Sequence, residues 1–223
     1  MKELLFNEGQ NLKEVLCEIS EYIYHNPELG NQEFKSSEKL ISFLEEHNFI
    51  VEREFLGLKT AFRAVYDSNK PGLTVGYLCE YDALPEIGHG CGHNMIGTMS
   101  AGAGVILSKI LDQVGGRVIV YGTPAEETDG AKVIFAEQGV FEELDAAMML
   151  HPSDKTCASG TSTAIYPLQF RYKGKNAHAA SCPEKGINAL NSVIQLFNGI
   201  DALRQHVTPD VKMHGIITKG GVA

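Results

Sequence analysis

Three short apolar runs, each closed by charged or metal-binding side chains, constrain this 223-residue chain more than anything else in it. They are LTVGYLC (73–79), GRVIVYGTP (116–124) and LDAAMMLHP (144–152). Runs of this length without helical periodicity read as strands buried on both faces. Between the first two lies NMIGTMSAGAGVILSKILDQV, where a helix is predicted over residues 94 to about 113. Its small residues Gly97, Ser100, Ala101 and Gly104 would let it press closely on a sheet. GAKVIFAEQGVF, between the second and third runs, reads as another helix. Strand, helix, strand, helix, strand is the pattern of an α/β fold with a parallel sheet covered by helices. In such sheets ligands bind beyond the carboxyl ends of the strands.

The flanking segments extend this frame. QNLKEVLCEISEYIY repeats apolar residues at 12, 15, 16, 19 and 23, a helical spacing. HNPELGNQEF follows as a loop broken by Pro27 and Gly30, and Ser36 and Ser37 are expected to cap a helix over SEKLISFLEEHN. TAFRAVY (60–66) reads as a strand, separated by the turn-forming DSNKPG from the first apolar run. Near residue 164 the character changes. YPLQFRYKGKNAHAAS alternates as a strand, GINALNSVIQLFNGIDALRQHV is helical, and DVKMHGIITKGGVA begins another strand. Residues 1–163 therefore read as one domain and 164–223 as the first part of a second.

Composition narrows the classes. Hydrophobic residues at 43% and charged residues at 21% belong to a folding chain. A net charge of −9 argues against a nucleic-acid or anionic-membrane partner, which would want a basic patch. No run is long and apolar enough to span a bilayer, and MKELLFNEGQNLKE lacks a signal peptide's apolar region. Five scattered cysteines (17, 79, 91, 157 and 182) fit free thiols in a reducing compartment, so a cytoplasmic protein is expected.

Chemistry concentrates at the ends of the three runs. Glu80 and Asp82 follow the first, Glu126 and Glu127 the second, and His151 the third. GHGCGHN (88–94) adds Cys91 and His93, whose thiolate and imidazole suit zinc and neighbouring metals. Alone, that heptapeptide is equally a turn with a buried cysteine and solvated histidines, and a redox thiol is the weakest reading because no second cysteine lies near. Adjacent glutamates are usually a solvated loop, but on this rim they can divide labour. One binds metal, and the other takes a proton from an activated water and returns it to the leaving amine. His178, in GKNAHAAS, is not assignable locally, and His25, His47 and His206 read as ordinary surface residues.

Together EYDALPEIGHGCGHNMIG, TPAEETDGAK, LDAAMMLHP and YKGKNAHAA, with HNPELGNQEFKSS before them and MHGIITKGGVA after, resemble a known family in order and spacing. It is that of the aminoacylase, hippurate hydrolase and auxin-conjugate hydrolase dinuclear metallopeptidases. The branch with p-aminobenzoyl-glutamate hydrolase subunits and β-alanyl-lysine-type dipeptidases looks most similar. The resemblance implies a zinc-exopeptidase-like three-layer α/β/α catalytic domain, incomplete here, with the start of an inserted α+β lid and dimerisation domain. It implies two divalent ions, most readily zinc, with manganese, cobalt or nickel as alternatives. Cys91 would bridge them, His93, Glu127 and His151 would be further ligands, and Glu126 would be the general base and acid. Asp82 and Glu80 would orient ligands, while His178 would reach across a homodimer to polarise the scissile carbonyl. The expected substrate is an N-acyl amino acid or a dipeptide. The family's final ligand, a histidine after the lid, lies beyond residue 223, so a truncated chain is expected. The rival readings are an inactive remnant or interaction subunit, and a thiol enzyme using Cys91.

Overall fold

The computed structural model describes residues 1–158 and 163–222. Helices α1 (Lys2–Asn11), α2 (Lys13–His25) and α3 (Phe34–Glu46) lead into strands β1 (Ile50–Arg53), β2 (Phe62–Asp67) and β3 (Thr74–Cys79). After these come α4 (His93–Ser108), α5 (Leu111–Val114), β4 (Arg117–Gly122), α6 (Ala131–Glu137) and β5 (Ala146–Met148). These elements belong to one compact unit, Met1–Thr156, and the chain from Cys157 forms a second. Among the described residues no helix is long and apolar enough to cross a membrane.

The five strands form one sheet in the order β1-β2-β4-β3-β5. β3 is parallel to β4 and to β5, as the three apolar runs predict. The sheet is mixed rather than wholly parallel, because β2 pairs antiparallel with both β4 and β1. Chain length explains this. The link 68–73 between β2 and β3 is too short for the crossover that parallel strands require.

β4 shows how the layers form. Val118 and Val120 face one core, with Phe62, Ala64 and Cys79 of neighbouring strands and buried residues of α2, α3 and α4. Ile119 and Tyr121 face the other, with Phe55, Ala131 and Phe135. Alternate side chains leave a strand on opposite faces, so a strand covered on both sides must be apolar throughout. The result is the three-layer α/β/α arrangement that the family resemblance implies. On α4 the small residues do what their spacing predicts. A Cβ on Gly97 would lie 2.7 Å from the Glu80 carbonyl oxygen, and one on Gly104 would lie 2.5 Å from Val120.

Five local expectations need correction. The third apolar run, expected to be buried, forms β5 at the sheet edge, where Ala146–Met148 are exposed. Ser36 and Ser37 lie inside α3, not at its cap. Glu28 serves the helix start instead, its carboxylate accepting from the Lys35 and Ser36 amides and from the Ser36 hydroxyl. The helix expected to 113 breaks after Ser108 and resumes as α5. In the second unit, α7 (Ala189–Leu203) forms, its first turn capped by the Asn188 side chain on the Leu190 amide. The strands expected from 166 and from 210 are absent among the described residues. Only a single bridge, Lys175 with Ile187, is paired there. A strand is a pairing, and alternation in sequence cannot supply the partner.

Candidate metal centre

Because β3, β4 and β5 are parallel, their carboxyl ends open on one rim. Thr123 ties the first two together there, its amide and hydroxyl both bonding the Cys79 carbonyl oxygen at 2.8 and 2.9 Å. Glu80 and Asp82 leave the end of β3, Glu126 and Glu127 the turn after β4, and His151 the segment after β5. The glycine-rich loop then delivers Cys91, and Gly92 (φ 78°) caps α4 so that His93 is its first residue. A left-handed cap of this kind favours glycine, which explains one of the loop's three glycines.

Seven of the eight side chains singled out in the sequence meet here. His93 is the hub and is 1% exposed. Its Nδ1–H donates to Asp82 Oδ1 at 2.9 Å, which leaves Nε2 free. Nε2 faces Glu80 Oε2 at 3.3 Å, Glu126 Oε2 at 3.7 Å and Glu127 Oε1 at 3.8 Å. The His151 ring stands edge-on to it, with centroids 6.3 Å apart. Two ligand groups share His93. One is Glu80, His93 and His151, the other Cys91, His93 and Glu127, and within each the donor atoms lie within 4.8 Å of one another. His178 belongs to the second unit and is exposed. Its Nδ1 accepts from the Ala180 and Ser181 amides, which puts the ring proton on Nε2.

Electrostatics favour a cation at this rim. Four carboxylates converge, answered within the cluster by Lys132, which pairs with Glu80 Oε1. The other Glu80 oxygen is buried without a hydrogen-bond partner and is turned toward His93 Nε2. An orphaned buried carboxylate oxygen is costly, and a metal ion between it and the imidazole would satisfy it. Burial alone raises the Asp82 carboxyl, but the His93 hydrogen bond and the Glu127 amide outweigh it and hold the group below the usual carboxylate range. Burial, aided by the Glu80 charge, pushes Glu126 up, toward values that suit proton transfer. The Cys91 thiol is pushed up to about 11, first by its hydrogen bond to Glu127, then by burial and the carboxylate charges. Without a cation it stays protonated, and a bound metal inverts that balance. The soft and borderline donors present therefore fit divalent transition metals.

Some of the local machinery carries no motif. Lys132 escaped the sequence reading, although its place just after the paired glutamates, in GAK, was a usable signal. Glu28 and Gly30 escaped too. The Glu28 carbonyl accepts from the Ala83 amide at 2.8 Å, and Gly30 leaves room for the Ala125 turn, since a Cβ there would lie 3.0 Å from Ala125 Cα. His89, the loop's other histidine, is buried with neither ring nitrogen hydrogen-bonded and joins neither ligand group.

The family follows from comparison. Residues 77–214 match the model of peptidase family M20/M25/M40, and the chain belongs to that family. It is similar to Xaa-Arg dipeptidase of Mus musculus, 38% identical over 94% of this chain and 51% of the mouse protein. It is also similar to a p-aminobenzoyl-glutamate hydrolase polypeptide of Escherichia coli K12, 35% identical over 92% of this chain and 46% of the bacterial one. Among solved structures, a dinuclear metal binding peptidase of the M20 family from Bacillus subtilis shares the fold. Its TM-score is 0.55 at 24% identity, over 62% of this chain and 42% of that one. The chain spans about half the length of the curated relatives it matches.

Proposed function

We propose that this chain carries most of the active site of a metal-dependent amidohydrolase that cleaves a dipeptide or an N-acyl amino acid. The observation that carries the reading is the convergence of three carboxylates on the free Nε2 of His93, beside Cys91 and His151. Cys91, His93, Glu127 and His151 hold two divalent ions, with Asp82 fixing the His93 ring. Glu80 stands closer than a purely orienting role requires, with one oxygen held by Lys132 and the other turned into the site. When bound, the ions supply Lewis-acid polarisation of the amide carbonyl and a more acidic water.

Glu126 takes the water's proton and passes it to the leaving amine, a task its raised pKa and 40% side-chain exposure suit. His178, its Nε2–H free to donate, steadies the developing oxyanion from the lid of a second copy in a homodimer. Zinc fits the thiolate and imidazoles best, with manganese, cobalt or nickel as alternatives. Five free cysteines suit a cytoplasmic setting. The substrate class draws on the relatives, whose names specify a dipeptide and an aminobenzoyl amide of glutamate.

Glu126→Gln tests the assignment in the active protein. Hydrolysis is expected to fall by about 10²–10⁴-fold while bound metal is retained. Parallel loss of metal and activity would remove Glu126 from the role of base.

A further inference from the structure

The mechanism leaves one buried carboxyl unused. Glu33 is 0% exposed and lies outside both ligand groups. Its Oε1 accepts the Ala125 amide at 2.8 Å and its Oε2 accepts the Thr60 hydroxyl at 2.8 Å. Thr60 is itself anchored, its carbonyl taking the Tyr81 hydroxyl at 2.6 Å. Ala125 sits directly before the glutamate pair in the left-handed region, with φ of 60°. For a residue with a Cβ that conformation is strained, so it persists only where the surroundings hold it.

We propose that Glu33 is a positioning residue for Glu126 and Glu127: through the Ala125 amide it holds the strained turn that aims both carboxylates at the rim. The inference rests on the reading of that pair as base and ligand. Glu33 grips the turn on its near side, and Asp82 grips its far side through the Glu127 amide at 3.0 Å. Gly30 provides clearance beside Ala125, where a Cβ would lie 3.0 Å from its Cα. As a purely structural element a buried carboxyl is a poor choice. Burial raises its pKa, and an apolar residue of similar size would serve the core as well or better. What an apolar residue cannot do is accept the Ala125 N–H.

The requirement is thus for an acceptor at the right reach, not for charge. Glu33→Gln keeps the acceptor and drops the charge, whereas Glu33→Asp keeps the charge and withdraws it by one methylene. The probe is Co²⁺ alone, titrated into the full chain. Its affinity and its thiolate-to-cobalt absorption from Cys91 are read together with each variant's thermal unfolding midpoint. Gln is expected to bind Co²⁺ with wild-type affinity and spectrum, and Asp to bind about tenfold or more weakly. Glu33→Met fills the space without an acceptor, so it is expected to fold and to bind as Asp does. Wild-type binding by Asp or by Met, or weakening by Gln equal to that by Asp, would overturn the positioning role alone. Absence of Co²⁺ binding by the wild-type chain would overturn the metal centre and this inference with it.

Discussion

Glu143 shows how one side chain can tie the sheet to its outer layer. It accepts from Arg63 of β2 at 2.7 Å and from the Tyr121 hydroxyl at 3.1 Å, with Arg117 at 3.4 Å. Burial alone raises its carboxyl, but Arg63 and these neighbours prevail and hold it below the ordinary value. A depressed carboxylate adds stability above its unfolded pKa of about 4.3 and loses it as pH falls through the folded value. Glu143→Gln should therefore unfold at a lower temperature than the wild type at pH 7, and the gap should close below about pH 4. A gap unchanged across that range would show that the ion pair contributes nothing. The same distinction separates what the sequence revealed at the rim from what it hid. Cys91, His93, Glu126 and Glu127 announce themselves, being metal-binding types beside strand ends. Glu33 acts on Ala125 from 92 positions away, and no local pattern encodes a pairing made only by folding.

α4 packs closely on the sheet, and helix glycines in this fold are not equivalent. A methyl on Gly97 meets the Glu80 carbonyl oxygen, backbone that cannot step aside without moving the rim. Gly97→Ala is expected to cost about 1–3 kcal/mol in urea unfolding and to weaken metal binding, because Glu80 moves with its carbonyl. Gly9, in α1, is the internal contrast, since a methyl there makes ordinary contact with Ile106 at 3.5 Å. Gly9→Ala should instead gain up to about 1 kcal/mol from helix propensity. Unfolding curves that rank the two variants the other way would refute this account of the packing. The elements themselves were legible wherever the apolar pattern was strong, periodic in α2 and α3 and continuous in β3 and β4. Legibility failed where the answer depended on partners. The antiparallel placing of β2 comes from a link too short to cross over. Among the described residues, the alternating run from 166 pairs only through the single bridge of Lys175 with Ile187.

The candidate ligands reach the rim from β3, α4, β4 and β5 and meet only when the sheet is complete, so a metal bound there would be linked to folding of the first unit. An ion that binds this site and not the unfolded chain raises stability by about 2.7 kcal/mol at a free concentration 100-fold above its Kd. Divalent zinc or cobalt added to chelator-treated protein should raise the unfolding midpoint, and magnesium, which prefers an all-oxygen shell, should do so far less. Equal shifts with all three ions would argue against a thiolate and imidazole centre. The strand order has a further consequence, in time rather than in space. β3 lies between β4 and β5, yet both follow it in the chain. As it leaves the ribosome β3 therefore presents two unpaired edges, and it keeps one until β5 emerges. During biosynthesis the strand that leads to Glu80 and Asp82 is therefore the one whose two neighbours are both still to come, and open edges of this kind invite pairing with another nascent copy.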